Sequence, residues 1–439
     1  MFAFLDDYTL LKPLFDFVFY YPLTMAWVWM VAGLWYYFHY EHKDSADPTF
    51  EPVLSSMPKV SILVPCFNEE DNVEEVVASL DQMHYPDFEI ICINDGSKDR
   101  TGELLDEMLS RYPRLRVVHQ AKNQGKAVGL NTAAVIAQSE FLICIDGDAI
   151  LDPHLIPWTL RHFDSPRVGA VTGNPRIRTR STILGKIQVG EFSSIIGLIK
   201  RAQRSYGRIF TVSGVIAVFR KSALHQIGYW SPDMLTEDID ISWKLQTKSW
   251  EIRYEPRALS WILMPETLGG LWKQRLRWSM GGIQVMQRYA WIWLHWKNWR
   301  MWPVYLEYVI SVIWAYAALF ALVLWGLTKL WPEIPHALHV GSIFPEWHGV
   351  ILGVTGMLQF VVALAIDRRY EPDIFRHFMW MIWYPMAYWL LSMLTSVCAV
   401  HAPCPHAASV MSGNHRLSHA AQKNACSIAP RVRCAVLWR

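Results

Sequence analysis

Phe141-Leu142-Ile143-Cys144-Ile145-Asp146-Gly147-Asp148 sets a short apolar run against an abrupt acidic turn. A run this brief, bounded by a turn signal and without polar alternation, reads as a strand buried on both faces. Three upstream runs share the form. Lys59–Pro65 ends in Pro, Phe88–Asn94 runs into Asp95-Gly96-Ser97, and Leu115–His119 stops before a Gly-containing loop. Between them, Asp71–Gln82, Thr101–Arg111 and Val128–Gln138 carry apolar residues at helical spacing. Short strands alternating with helices predict a parallel α/β sheet, whose ligands bind beyond the carboxyl ends of the strands. That rule alone puts Asn68, Glu69, Asp95, Asp146 and Asp148 along one edge.

The rest of the chain is less polar than such a domain needs. Of 439 residues, 52% are hydrophobic, 23 are Trp and only 18% are charged, against about 25% charged in ordinary soluble chains. An apolar run of about 20 residues can cross a membrane. Tyr21–Tyr40 is such a run, with aromatic ends, and three more are Val304–Leu327, Val350–Ile366 and Phe378–Val400. Leu10–Phe19 is too short and carries Lys12 and Asp16. Lys273, Arg275, Arg277, Arg288, Lys297 and Arg300 crowd the approach to the second run, and Arg368-Arg369 lies between the third and fourth. The positive-inside rule then predicts that the polar domain is cytoplasmic. The segment Leu268–Trp302 mixes Trp with Arg and Lys, as a segment lying in a membrane interface would. The expected regions are therefore a first span in 1–45, a polar domain in 46–267, an interfacial segment in 268–303, a membrane bundle in 304–400 and a basic tail in 401–439.

A net charge of +2 argues against a nucleic-acid partner, whose basic excess is larger and clustered. The 7 Cys show no CxxC spacing, and Cys66, Cys92 and Cys144 fall in or beside apolar runs, as reduced core thiols do. The polar clusters remain. Asp146 and Asp148 repel one another unless one is protonated or a hard cation such as Mg2+ or Mn2+ sits between them, although an ordinary strand-to-turn would look the same. Asp95 in Asn94-Asp95-Gly96-Ser97 is either a turn residue or a ligand, and Lys126 at a helix start is either a phosphate contact or a surface lysine. In Thr236-Glu237-Asp238-Ile239-Asp240, acids at a helix start account for Glu237 and Asp240. Asp238 is then a candidate general base, since hydroxyl nucleophiles are weak at neutral pH without a positioned carboxylate. Gln274-Arg275-Leu276-Arg277-Trp278 offers a guanidinium fork and a flat ring, or else an interfacial helix with snorkelling Arg.

Taken in order, Pro65-Cys66-Phe67-Asn68-Glu69, Asn94-Asp95-Gly96-Ser97, Asp146-Gly147-Asp148, Thr236-Glu237-Asp238 and Gln274-x-x-Arg277-Trp278 resemble the signature series of the processive family 2 glycosyltransferases, over roughly residues 20–400. Within that family, the stretches Val171–Arg180, Gly185–Glu191 and Ile262–Thr267 are similar to the poly-β-1,6-N-acetylglucosamine synthases of bacterial biofilm matrix.

The resemblance implies a GT-A type nucleotide-sugar-binding domain joined to transmembrane helices at the bacterial inner membrane. It implies polymerisation of UDP-N-acetylglucosamine with inversion, coupled to export. Cys66, Phe67, Glu69, Asp95, Lys126, Asp146 and Arg277 would bind the nucleotide sugar, and Asp146 with Asp148 a Mg2+ or Mn2+ ion. Asp238 would be the base, and Ser213, Gly214, Glu237, Gln274 and Trp278 would face the acceptor. A small membrane subunit and cyclic di-GMP are implied partners. The chain departs from the family pattern at both ends: it has room for one N-terminal span rather than two, and from His401 onward it has no acid and much His, Cys, Arg and Ala. Other readings are a hyaluronan-, chitin- or cellulose-like synthase of another sugar or linkage, a non-processive transferase to a lipid carrier, which usually lacks the Gln-x-x-Arg-Trp cluster, and a transporter, which would want acids inside its spans. Only Glu307 meets that last need, near one end of a span.

Overall fold

The computed structural model describes residues 11–331 and 346–402, apart from 46 and 48. The tail expected from 401 onward therefore lies almost wholly outside the described residues. Eight strands form one sheet: β1 (Val60–Cys66), β2 (Phe88–Asn94), β3 (Leu115–His119), β4 (Phe141–Ile145), β5 (Ile150–Leu151), β6 (Val168–Ile177), β7 (Ile216–Arg220) and β8 (Glu251–Ile262), in the order β3-β2-β1-β4-β7-β6-β8-β5. The first four are parallel, as their alternation with helices predicts, with Cys66 level with Asn94 and Leu63 level with Cys144. Cys66, Cys92 and Cys144 are buried free thiols of the strands.

Beyond those four strands the sheet is mixed. β7 runs antiparallel to both β4 and β6. After β6 the chain stays at the carboxyl edge through Ile183–Glu191, Phe192–Leu198 and Ile199–Ser205, so β7 enters from that edge with its direction reversed. β6 and β8 pair in parallel, and β8 thus ends at the same edge. The reversal matters for the site, because it delivers Ser213 and Gly214, just before β7, to the edge that carries Asp146.

Among the described residues, three helices are long and apolar enough to cross a membrane: Lys12–Glu41, Trp296–Leu330 and His348–Asp367. The first absorbs residues 12–19, so Lys12 and Asp16 sit on its opening turns as an exposed i,i+4 pair. The run expected as a fourth continuous span is instead two pieces, Ile374–Trp380 and Tyr384–His401, bent by 76°. Pro385 explains where the second piece starts: it has no N–H to continue a helix and its fixed φ suits a first turn. Met381, at the bend, lies so close to Gly190 that a Cβ there would approach its sulfur to 2.1 Å.

A buried ion network joins sheet and apolar helices. Arg201 pairs with Glu41 at 2.6 Å and with Asp367 at 3.0 Å, Asp367 pairs with Arg176 of β6 at 2.8 Å, and the Tyr370 hydroxyl donates to Glu41. All four charged side chains are at most 3% exposed. Their burial is compensated only while every partner is present. Asp367→Ala strands the Arg176 guanidinium and leaves Arg201 only Glu41, and is expected to cost about 3–5 kcal/mol, read as a lowered melting temperature in detergent. Asp16→Ala, which breaks the exposed Lys12 pair, should leave the melt unchanged.

Candidate active site

The carboxyl edge of the sheet is a built surface. The Asp95 amide donates to the Cys66 carbonyl at 2.9 Å, so the turns after β1 and β2 are tied together. Asn68 takes a left-handed φ of 56°, and its side-chain oxygen accepts from the Lys98 amide at 2.9 Å. Gly96, at φ 65°, lies where a Cβ would meet the backbone of Lys122 at 2.5 Å, so only glycine fits there. Both Asp95 oxygens accept backbone amides, of Gln124 and Gly125, each at 2.8 Å. Asp95 thereby shapes the loop that opens the helix Lys126–Ile136.

Lys126 reaches across the edge from that helix. Its ammonium donates to Asp146 Oδ1 at 2.5 Å and to the Gly214 carbonyl at 3.1 Å, and pairs with Glu237 Oε1 at 3.1 Å. Burial pulls its pKa down, but Asp146 and Glu237 outweigh this and hold the lysine charged. Asp148 lacks such a partner: burial, then the charges of Asp146 and Glu69, push its carboxyl up to about 7. Burial raises Glu69 as well. Three neighbouring carboxylates, with Asp148 raised first by burial and then by its neighbours' charge, suit a hard divalent cation.

The helix Glu237–Thr247 brings the second acidic group to the same place. Glu237 is held low because Lys126 outweighs its burial. Its neighbour Asp238 is pushed up to about 6, first by burial and then by the Glu237 charge. Gly214 leaves room for this group, since a Cβ there would lie 3.2 Å from Asp238 Oδ2. The third acid, Asp240, is fully buried and accepts from Ser231 at 2.6 Å and Tyr289 at 2.9 Å. Its function is to anchor the helix, not to complement a helix N-terminus.

The helix Leu268–Arg288 crosses above, capped by Thr267, whose hydroxyl accepts the Gly270 amide. It carries Gln274, Arg277 and Trp278 to the wall of a cavity of about 660 Å3 that also includes Lys126, Asp146, Asp148, Ser213, Gly214 and Asp238. Arg277 faces the Glu237–Asp238 pair closely enough to favour the charge of both. The cavity continues among the apolar helices, past Tyr21, Trp29, Glu307, Trp314 and Trp389. Glu307 is spent within that wall, accepting from Trp29, Gln203 and Tyr206.

Residues 58–281 match the family described as glycosyltransferase like family 2. A poly-beta-1,6-N-acetyl-D-glucosamine synthase of Staphylococcus epidermidis is 38% identical over 386 residues, which is 88% of this chain and 93% of that protein. The chain belongs to glycosyltransferase family 2. A synthase of the same name from Staphylococcus aureus is 38% identical over 379 residues, covering 86% of this chain and 92% of that one. Among solved structures, a mannosyltransferase from Pyrobaculum calidifontis in complex with GDP-Man and Mn2+ has a TM-score of 0.55 over 87% of this chain and 99% of that one. At 18% identity this is a likeness of fold, and the fold is GT-A-like.

Two expected site residues of this glycosyltransferase, Cys66 and Asp95, direct their side chains at the protein's own backbone. The Cys66 thiol is in the core, fully buried and bonded to the Val64 carbonyl, so its main chain alone faces the edge. Phe67, next to it, is 42% exposed and presents its ring to solvent. Asp95 is only 3% exposed and committed to the loop amides. Gln274 lines the cavity, with its side-chain oxygen accepting from Arg275 at 3.0 Å.

A support for Trp278 went unread in the sequence. The Arg275 guanidinium lies over the Trp278 ring at 4.2 Å and pairs with Glu191 at 2.8 Å, and Glu191 accepts the Tyr384 hydroxyl at 2.6 Å. The same helix approaches Thr236 through Gly281 and Tyr308 through Gly282, where a Cβ would come within 2.1 and 2.2 Å. The i,i+3 spacing of Arg275 and Trp278 was the available signal.

Two outcomes follow from these contacts. With divalent cation saturating, kcat/KM should fall about tenfold per pH unit below about 6, because Asp238 must be unprotonated to accept a proton and protonates near that pH; a limb breaking near pH 4 would remove burial as the control. Glu191→Ala should weaken acceptor binding more than it slows nucleotide release, with Glu191→Asp restoring binding, in a comparison of acceptor KM with coupled nucleotide release.

Proposed function

We propose that this glycosyltransferase polymerises UDP-N-acetylglucosamine into β-1,6-linked poly-N-acetylglucosamine for biofilm matrix, from the cytoplasmic side of the bacterial inner membrane. One observation carries the reading: the cavity that holds Asp148, Asp238 and Trp278 runs on between apolar helices lined with aromatic rings. A single-addition enzyme needs no such continuation, and a growing polysaccharide does. The names of the relatives, at 38% identity over most of both chains, favour this sugar and linkage.

Phe67 offers a face for the uracil ring, while Glu69, the amides organised by Asp95, and Arg277 surround the nucleotide. Asp146 and Asp148 would hold Mg2+ or Mn2+, which neutralises the diphosphate as it leaves. Lys126 reinforces that charge compensation from the protein side. Asp238 takes the proton from the acceptor hydroxyl as its oxygen attacks the anomeric carbon opposite UDP, so configuration inverts. Ser213, Gly214, Glu237 and Gln274 shape the acceptor side, with Trp278 as a stacking platform. The segment 268–303 would lie along the membrane interface between the domain of 46–267 and the bundle of 304–400. A small membrane subunit and cyclic di-GMP remain partners of this reading, with no described residue assigned to either.

Membranes containing the enzyme, given a panel of UDP-sugars, should incorporate only N-acetylglucosamine, and linkage analysis should return β-1,6 bonds. Chelation should stop the reaction, and added Mg2+ or Mn2+ should restore it. Asp238→Asn should abolish transfer while leaving UDP binding within a few-fold. Trp278→Ala should weaken acceptor retention about two- to tenfold and give short products, with Trp278→Phe recovering length. Polymer of another sugar, or single additions by the wild type, would refute the proposal.

A further inference from the structure

We propose that Glu51, His84 and His154 form a second metal site, for a divalent transition ion of the zinc class, separate from the carboxylates of the donor pocket. Among the described residues these three side chains bring one ligand atom each to within 4.8 Å of one another. His154 Nδ1 already lies 2.6 Å from Glu51 Oε1, and the His84 ring stands at 90° to that of His154 with centroids 4.5 Å apart. Metal–nitrogen and metal–oxygen bonds are about 2.0–2.2 Å. Reaching that radius in a tetrahedral shell takes rotation of His84, whose side chain is exposed, and opening of the Glu51–His154 hydrogen bond.

The backbone beneath the cluster is prepared for it. The His84 amide donates to the Pro153 carbonyl at 3.0 Å, which stitches the two histidine-bearing loops in register. The His154 amide is held by Asp152 Oδ1 at 2.9 Å. The linker carrying Glu51 is pinned on both sides, by Trp158 donating to the Phe50 carbonyl at 3.1 Å and Tyr85 donating to the Pro58 carbonyl at 2.7 Å. A Glu–His hydrogen bond explains one of the two imidazoles and leaves the other edge-on to it with no task. A bound ion uses both.

Ligand chemistry decides the class of ion. Two imidazoles and one carboxylate suit zinc or a neighbouring transition metal with a water completing the shell, whereas Mg2+ prefers oxygen ligands throughout. Bound there, the ion fastens the linker from the first apolar helix to the loop before β2 and to the segment that follows Asp148 through β5. It acts as a clip among these three segments and stabilises the folded state by its binding free energy.

The test uses the full chain in detergent micelles, stripped with chelator and titrated with Co2+ alone, then with Zn2+. The expected result is an intense visible band from one equivalent of histidine-ligated Co2+, displaced by Zn2+, and retained in Asp148→Asn. His84→Ala, at an exposed position, should melt like the wild type in chelator but lose at least about tenfold in Zn2+ affinity. Zn2+ should raise the melting temperature of the wild type more than that of His84→Ala. Absence of the band, a band unchanged by His84→Ala, or one lost in Asp148→Asn would overturn the site.

Discussion

One ammonium group, that of Lys126, holds the two halves of the reaction centre in a single electrostatic unit. It pairs with Asp146 from the sheet and Glu237 from the later helix, and it bonds the carbonyl of Gly214 between them. Those three groups come from segments far apart in sequence, and without a shared cation the two acids would repel. Lys126 is itself placed by Asp95, which fixes the Gly125 amide at the start of its helix. The order of dependence therefore runs from the turn after β2, through one loop, to both sides of the cavity. A buried ion pair contributes little net stability, so its value here is geometric. It also divides the acids by function. Glu237 is neutralised and kept charged, whereas Asp238 lacks a direct cationic partner and is left basic enough to take a proton.

The Trp278 side of the cavity is organised by closeness more than by charge. The helix Leu268–Arg288 is wedged between the acidic helix and an apolar one, with two successive glycines at the narrowest contacts. Trp278 is backed by Arg275, then Glu191, then Tyr384 at the start of the last apolar helix. The bend before Tyr384 is what lets its hydroxyl turn toward the sheet domain. Trp278 and the helix Tyr384–His401 are thus joined by one chain of contacts.

The first four strands and the edge they define were legible because their helices alternate with them and each ends in a polar turn. Beyond β4 the alternation stops, and the mixed pairing of β6, β7 and β8 follows from a helical excursion that leaves no two-residue periodicity to read. Motif spacing located Cys66 and Asp95 at the edge but was silent on which atoms face outward; burial of one side chain and the double amide bond of the other decide that. Asp240 looked like a helix-start acid because its partners Ser231 and Tyr289 flank it at unequal distances along the chain. Glu191 gave no signal, since a lone acid in an apolar stretch acquires meaning only when Arg275 and Tyr384 arrive from later segments. The broken fourth span was hidden by a hydropathy that stays high across the bend, although Pro385 marked it.

The buried network of Glu41, Arg176, Arg201 and Asp367 also sets an order of assembly. A chain made from its N-terminus produces Glu41 first and Asp367 last, with almost the whole sheet domain between them. Until the third apolar helix has been synthesised, Arg176 has no acid to meet, and Arg201 has only one of its two partners. Dehydrating those guanidinium groups early is costly, so the face of the domain that meets the apolar helices must stay wet while the ribosome is still working. The sheet can close on itself during translation, but its union with the apolar helices waits for a single aspartate.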